Sequence, residues 1–163
     1  MSEVGGQEFQ QGTVQAGGPP GGQAVAGGAS GPRAGFWQRV GAYLIDWVIL
    51  VIFEVIVFVI LRSAPGLAYA IVLIGTYGYF TYLEGGATGQ TVGMKAVGIR
   101  VIDFNGGGPI GYGRGFIRQL VKIVSGLVIL LGYLWMLWDS EKQTWHDKGA
   151  GSVVVPVDAY PIG

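Results

Sequence analysis

Three long apolar blocks separate polar, glycine-rich segments along the chain, and they set the expected architecture. The first block covers residues 36–61, of which residues 40–61 alone would form a helix of about 33 Å. That length crosses a hydrocarbon core of about 30 Å. The second block covers residues 67–83 and the third covers residues 116–138. The pattern predicts an all-α membrane protein, a small bundle of about three membrane-embedded helices.

The segments between the blocks carry turn and strand signals. Pro65 and Gly66 stop a helix between the first two blocks. The glycine-rich segment 84–115 is mixed in polarity, and its scattered apolar pattern over residues 92–101 predicts a short strand or an interfacial segment. Residues 152–157 are predicted to be extended. The chain should therefore contain short extended elements beside its helices.

The third block leaves two topologies open. Arg118 and Lys122 lie in its first part, and only residues 123–138, about 24 Å of helix, are free of charge. Such a segment either crosses fully or enters and returns on one side. In the second case every lysine and arginine except Arg62 lies on one side, so the positive-inside bias favours an even number of crossings. In both cases the N-terminus is predicted to be cytoplasmic and the membrane to be the plasma membrane.

The first 34 residues differ from the rest of the chain. They are rich in Gly, Gln, Ala and Pro and contain few large apolar residues, which is typical of disorder. They lack the basic start and apolar core of a signal peptide. We expect residues 1–34 to be a disordered Gly-rich tail, residues 35–157 to form the membrane domain, and residues 158–163 to be a short C-terminal tail.

Composition narrows the class of function. Half of the residues are hydrophobic and 12% are charged, against about 25% in a typical soluble domain. The formal net charge is zero, which disfavours nucleic acid as a partner and leaves the lipid bilayer as the predicted one. The chain has no cysteine and one histidine, so neither a protein-bound metal nor a cofactor is expected. No serine stands in a Gly-x-Ser-x-Gly setting, and an enzyme is not expected.

Three charged residues fall within the first apolar block. Arg39 and Asp46 differ by about 20° in helical azimuth, and Glu54 lies about 80° from Asp46, so all three share one side of the helix. An aspartate at the centre of a span costs about 2.5–3.5 kcal/mol to insert. We therefore expect these residues to face a partner helix, a water-filled cavity or another subunit.

Two interpretations of these charges stay open. A desolvated carboxylate can bind and release an ion or a proton, which would make Asp46 a transport site. Alternatively Arg39, or Arg118 and Lys122 from the third block, neutralises Asp46 and the charges fix the packing. Arg114, Arg118 and Lys122 also form a basic stripe at i, i+4 and i+8. For that stripe we favour contact with anionic lipid over substrate binding.

Four motifs make the region from Phe36 to Pro156 resemble the RDD family of multi-pass membrane proteins, which is named for one arginine and two aspartates. By this resemblance Arg39 is the arginine, Asp46 the first aspartate and Asp147 the second. Ser152 departs from the threonine that is common there. The motifs are residues 36–46, residues 89–95 with 98–103, the basic residue Arg118, and residues 143–151.

The resemblance implies a role for the C-terminal motif. It makes His146 and Asp147 candidates to fold back toward the start of the first span. We expect Asp147 to pair with Arg39, Arg100 or Arg118 and thereby to close the bundle. Some members of the family are linked to sodium–proton antiport, and others are thought to assist membrane complexes.

Two functional hypotheses follow. In the first, an oligomer of the chain transports cations or protons through Asp46 paired with Arg39, and Glu54 extends the path. In the second, the chain is a non-transporting membrane adaptor or assembly factor, and Arg39, Asp46, Glu54, Arg118, His146 and Asp147 belong to a structural charge network.

Overall fold

The computed structural model describes residues 31–128 and 131–162. Residues 1–30, which carry most of the predicted disordered tail, lie outside these ranges. The described part is mostly helical, as predicted, and it adds a two-stranded sheet to the all-α class. Its elements are α1 (Phe36–Ile60), α2 (Pro65–Gly85), α3 (Val92–Ala96), β1 (Ile99–Asp103), α4 (Gly111–Leu127), α5 (Leu131–Leu134), a 3-10 helix (Trp135–Leu137), α6 (Trp145–Gly149) and β2 (Ser152–Pro156).

Helices α1 and α2 form an antiparallel hairpin. Pro65 occupies the first turn of α2 and excludes Ala64 from helical geometry, so Ala64 adopts φ −135° and ψ 65°. Along the hairpin Phe58 packs edge-on against Tyr69, with ring centroids 4.9 Å apart. Further along, a Cβ atom at Gly75 would lie 2.7 Å from the Phe53 ring. A glycine there lets the two helices approach closely.

The outward faces of this hairpin are apolar. The most apolar windows of α1 and α2 have mean hydropathies of 2.6 and 1.3, and only 11% and 6% of them are buried within the molecule. With 25 and 21 residues, the helices extend for about 37 Å and 31 Å. Both are long enough to cross a bilayer, and their exposed apolar surface suits lipid. The chain is therefore an integral membrane protein.

The third apolar block is broken rather than continuous. Helix α4 begins at Gly111, five residues before the predicted start, and α5 with the 3-10 helix follows at an angle of 113° to it. Together they are either a bent span or a re-entrant loop, and the described residues thus contain two or three candidate crossings.

The two strands form an antiparallel pair in which Val101 is opposite Val154. β2 lies in the segment predicted to be extended, whereas β1 overlaps the predicted segment 92–101 only at its end, since Val92–Ala96 forms α3. Ile99, Val101 and Val154 pack with Ala34 and Ala42 in one apolar cluster. The sheet thereby attaches the loop after α2 and the C-terminal segment to the beginning of α1.

Residues on both sides of the expected membrane domain belong to the folded part. Arg33 pairs with Glu141 at 2.8 Å, and the Ala34 amide donates to the Val154 carbonyl at 3.0 Å. At the other end Tyr160 packs against the apolar cluster around Val153. The folded domain is therefore wider than the predicted range 35–157.

Candidate functional site

Asp46 joins three elements through uncharged donors. It lies on α1 and is 2% exposed. Its Oδ1 accepts from the Tyr79 hydroxyl at 2.6 Å and from the Gly93 amide at 2.8 Å, and its Oδ2 accepts from Thr91 Oγ1 at 2.5 Å. Asp46 thus binds α2 and the start of α3 to α1. We call these four residues the Asp46 cluster.

The two hydroxyl groups of the cluster have fixed orientations. Tyr79 accepts a hydrogen bond from the Val92 amide at 3.1 Å, and Thr91, the N-cap of α3, accepts one from the Met94 amide at 3.1 Å. Both hydroxyl protons are therefore left for Asp46. The carboxylate acts as an acceptor toward every one of these donors.

Gly93 is required by this geometry. A Cβ atom at this position would lie 2.0 Å from the Ala42 carbonyl oxygen and 3.0 Å from the carboxyl carbon of Asp46. The absence of a side chain allows the backbone of α3 to touch α1, which brings the Gly93 amide to the carboxylate.

The predicted pairing of Arg39 with Asp46 is wrong. Nη1 of Arg39 donates to Asp147 Oδ2 at 2.5 Å, and Nη2 donates to the Lys142 carbonyl at 2.8 Å. Arg39 shares a helix face with Asp46 but lies about 10 Å away along the axis, beside the C-terminal segment. The acceptor positions of Asp46 are taken by the uncharged donors, and neither Arg118 nor Lys122 neutralises it.

Asp147 is the centre of a second cluster. It is fully buried at the third position of α6, where its side chain accepts from the Thr144 amide at 3.1 Å in a capping box. Arg39 and Arg118 pair with its two oxygens, as we expected from the motif, and Arg100 does not. Burial alone would raise the pKa of Asp147, but the two guanidinium groups hold it well below its usual range.

Glu84 is a site residue that sequence reasoning missed. It is fully buried at the end of α2. Its Oε2 accepts from Arg118 Nε at 2.9 Å and from Gln119 Nε2 at 3.1 Å, and its Oε1 accepts from Lys122 Nζ at 2.6 Å. The available signal was an acidic residue in the last turn of an apolar helix, together with a basic stripe that needed a counter-charge.

Arg118 connects the two carboxylates. Its Nε donates to Glu84, and its Nη1 donates to Asp147 and to Ser152 Oγ at 2.5 Å. Threonine, which is common in the family at position 152, has the same hydroxyl group. The serine in this chain therefore keeps the hydrogen bond with Arg118. The charge network, as we define it, consists of Arg39, Glu84, Arg118, Lys122 and Asp147.

The expectation that the basic stripe faces anionic lipid is wrong for its central member. The Arg118 side chain is 1% exposed and is neutralised within the protein. Lys122 pairs with Glu84 and lies 4.7 Å from the Phe80 ring centroid. Arg114 pairs with Asp103 at 2.7 Å. The stripe therefore joins α4 to other elements.

His146 lies beside the network and is buried. Its ring centroid is 5.1 Å from that of Tyr133, and its Nδ1 has no hydrogen-bond partner among the described residues. Burial lowers the pKa of His146 well below its usual range, against the attraction of the Asp147 carboxylate. The histidine is therefore neutral in the folded protein at neutral pH.

Glu54 does not join the other predicted site residues. It is exposed on α1 and takes part in none of the ion pairs formed within residues 31–128 and 131–162. The path from Asp46 to Glu54 that the first hypothesis assumed is therefore absent from the interior of one subunit. In that same part of the chain, no group of three or more His, Asp or Glu side chains is placed to hold a metal ion.

A cavity of about 450 Å³ lies between α1, α2, α4 and the segment that leads to α6. Most of its wall is apolar, and the polar part of the wall brings together residues of both clusters. The lining residues with polar groups in their side chains are Arg39, Tyr43, Asp46, Glu84, Arg118, Lys122, Tyr133, Thr144 and His146.

These features define a small integral membrane protein with a helical hairpin, a buried charge network and an adjoining cavity. The model of the RDD family matches residues 33–151, and the chain belongs to this family. The match confirms the resemblance that the four motifs indicated.

Curated relatives come from mycobacteria. The proline-rich antigen homolog of Mycobacterium tuberculosis is 35% identical over 97 residues, which is 60% of this chain and 38% of that protein. The proline-rich antigen of Mycobacterium leprae is 38% identical over 85 residues, which is 52% of this chain and 32% of that protein. The aligned regions thus span only about a third of these longer relatives. No solved structure matches the chain significantly.

The three residues after which the family is named divide between the two clusters in this chain. Arg39 and Asp147 pair with each other across the bundle. Asp46 belongs to the other cluster and has only hydroxyl and amide donors. The arginine and the second aspartate therefore attach α6 to the start of α1, whereas the first aspartate attaches the segment after α2 to α1.

Proposed function

We propose that this protein is a non-transporting membrane adaptor or assembly factor, and that its buried charges are structural. One observation supports this choice. Each of the three buried carboxylates, Asp46, Glu84 and Asp147, accepts three hydrogen bonds from protein groups. A carboxylate that carries an ion must exchange its ligands in every cycle. Removing one partner of a buried ion pair, as at Glu84 and Asp147, costs about 3–5 kcal/mol, and leaving a buried hydrogen-bonding group unpaired, as at Asp46, costs about 1–3 kcal/mol, which makes such exchange unfavourable here.

Transport of cations or protons is the second candidate. The observation in its favour is that the cavity reaches both Asp46 and Glu84. A transported ion that entered there would contact carboxylates from α1 and α2. It would also meet Arg39, Arg118 and Lys122 in the same wall, which disfavours a cation.

The proposed topology has both ends in the cytoplasm of a plasma-membrane protein. Ala34 precedes α1, β1 follows α2, and β2 ends the described fold, yet Ala34 and β1 both bond to β2. Segments in direct contact lie on one side of the membrane, which supports an even number of crossings. The bent pair of α4 and α5 would then be re-entrant. Arg62 would be the single basic residue on the outer side.

Partners within the membrane are also part of the proposal. Glu54 lies on the outer surface of α1, where an exposed carboxylate would face lipid in a single subunit. Its insertion costs about 2.5–3.5 kcal/mol unless a polar group covers it. We propose that a second subunit, or a different membrane partner, covers Glu54.

Ion flux into proteoliposomes tests the proposed function. The full chain is reconstituted with a pH-sensitive dye inside, and sodium gradients are applied between pH 6 and 8.5. We expect the same proton movement as in protein-free liposomes, and a known antiporter serves as the positive control. Sodium-dependent flux that is lost in a folded Asp46→Asn variant would establish transport instead.

The topology has its own test, which the lack of native cysteine makes simple. Single cysteines are placed at Ala159 and at Ser63, and an impermeant maleimide is added to spheroplasts or to inverted vesicles. We expect Ala159→Cys to react only in inverted vesicles and Ser63→Cys only in spheroplasts. Labelling of both from the same side would contradict the two-crossing arrangement.

A further inference from the structure

The cavity has a volume and an apolar wall that suit a lipid chain. Its volume of about 450 Å³ lies in the usual range for small-molecule sites, about 300–1,000 Å³. Much of its wall consists of apolar side chains from α1 and from the segment after α4, among them Val40, Leu134 and Met136. Because α1 and α2 span the membrane, a molecule in this space would lie beside acyl chains.

The polar wall has more free donors than free acceptors. Asp46 and Glu84, the two carboxylates in the wall, already accept three hydrogen bonds each. In contrast, the Nε atom of Arg39, which always carries a hydrogen, is buried and has no partner among the residues that the structure describes. A molecule that satisfies this wall must therefore bring hydrogen-bond acceptors.

The cationic side chains of the wall can receive an anion. Arg39, Arg118 and Lys122 line the cavity beside the carboxylates of Asp46 and Glu84, and Asp147, which does not line it, pairs with Arg39 and Arg118. The ammonium group of Lys122 has three donors and makes one hydrogen bond, to Glu84, within the described residues. It can donate to a further acceptor without leaving Glu84.

We propose that this cavity binds a single-chain anionic lipid from the bilayer, of the fatty-acid type. Its chain would lie along the apolar wall, and its carboxylate would accept from Lys122 and from the Nε–H of Arg39. The proposed lipid site goes beyond the adaptor function. It can be tested separately from that function and from ion transport, because lipid binding is measured directly.

Gly126 offers a way to fill the cavity without disturbing the charges. It lines the cavity, and a Cβ atom placed on it would meet nothing within 4 Å. Gly113 on the same helix is equally open to a new side chain but does not line the cavity. Gly126→Leu and Gly113→Leu are thus a matched pair that adds the same side chain inside and outside the site.

Binding of radiolabelled oleate to the full chain in nanodiscs is the first experiment. We expect saturable binding of one oleate to the wild type, a loss of about tenfold or more in affinity for Gly126→Leu, and wild-type affinity for Gly113→Leu. Val40→Trp, which enters the cavity from α1, gives a second block if Gly126→Leu does not reconstitute. Equal binding by the wild type and the cavity-filling variants, or an equal loss in Gly113→Leu, would overturn the proposal.

Head-group selectivity is the second experiment. Oleyl alcohol has the same chain without the charge, and we expect it to compete with oleate at least tenfold more weakly. Lys122→Gln should lower the affinity for oleate about fivefold and leave that for oleyl alcohol unchanged. Equal competition by the alcohol, or an unchanged affinity for oleate in Lys122→Gln, would contradict an anionic ligand.

Discussion

The protein buries its carboxylates in two different ways. The Asp46 cluster uses two hydroxyl groups and one amide, and all of its members lie within α1, α2 and the beginning of α3. The charge network uses arginine and lysine, and it connects residues as distant in sequence as Arg39 and Asp147. Neutral donors attach the segment after α2 to α1, while cations join α1 and α4 to the C-terminal helix α6. The two clusters should therefore respond differently to loss of charge.

The largest effect is expected for Asp147→Asn. This change leaves Arg39 and Arg118 buried without a full counter-charge, which should lower the free energy of unfolding by about 3–5 kcal/mol. Unfolding by SDS in mixed micelles, followed by tryptophan fluorescence, measures this loss. Asp103→Asn is the control, because its pair with the half-exposed Arg114 should contribute under about 1 kcal/mol. Equal losses in the two variants would mean that the buried charge network stabilises the fold no more than the partly exposed pair of Asp103 and Arg114 does.

A smaller loss is expected for Asp46→Asn. The amide replaces one acceptor oxygen by a donor that faces another donor, which should cost about 1–3 kcal/mol. The same SDS titration reports it. No buried cation is left unpaired, so the loss should be smaller than that of Asp147→Asn. If Asp46→Asn proved the more destabilising change, the distinction between the two clusters would fail.

Acid should weaken the fold through His146. Because burial depresses the pKa of this histidine, the unfolded chain binds a proton first as the pH falls below about 6.5. Stability is therefore complete above that pH and declines below it, by up to about 2 kcal/mol at pH 5. The depressed pKa of Asp147 adds almost no slope above about pH 5, because the unfolded aspartate begins to bind its proton only below that pH. His146→Gln should flatten the profile between pH 7.5 and 5, and an unchanged slope would rule out this origin.

The smallest effect on the subunit is expected for Glu54→Leu. Since Glu54 lies outside both clusters, the free energy of unfolding of a single subunit should change by under about 0.5 kcal/mol. The proposed partner contact should nevertheless be lost. Chemical cross-linking in native membranes, compared between Glu54→Leu and the wild type, measures this. Unchanged cross-linked products would remove Glu54 from any interface.

Much of the fold was predictable from local patterns. The two membrane helices follow from runs of apolar residues, and the turn between them follows from Pro65 and Gly66. The pairing of Asp147 with a basic residue was predicted from the motif that contains it, with Arg39, Arg100 and Arg118 as the candidates, and Arg39 and Arg118 are its partners. Glu84 could not be assigned, because its partners lie more than thirty residues away on α4.

The sequence by itself determined that the chain enters a membrane, where its first two spans lie, and that Asp46 and Asp147 needed partners inside. Hydropathy is a sum over neighbouring residues, so the linear chain contains that information. Only the tertiary structure decided that Arg39 pairs with Asp147 rather than with Asp46, and that Glu84 completes the network. Ion pairs and hydrogen bonds depend on atoms that meet within about 3 Å, and packing of distant segments sets those distances.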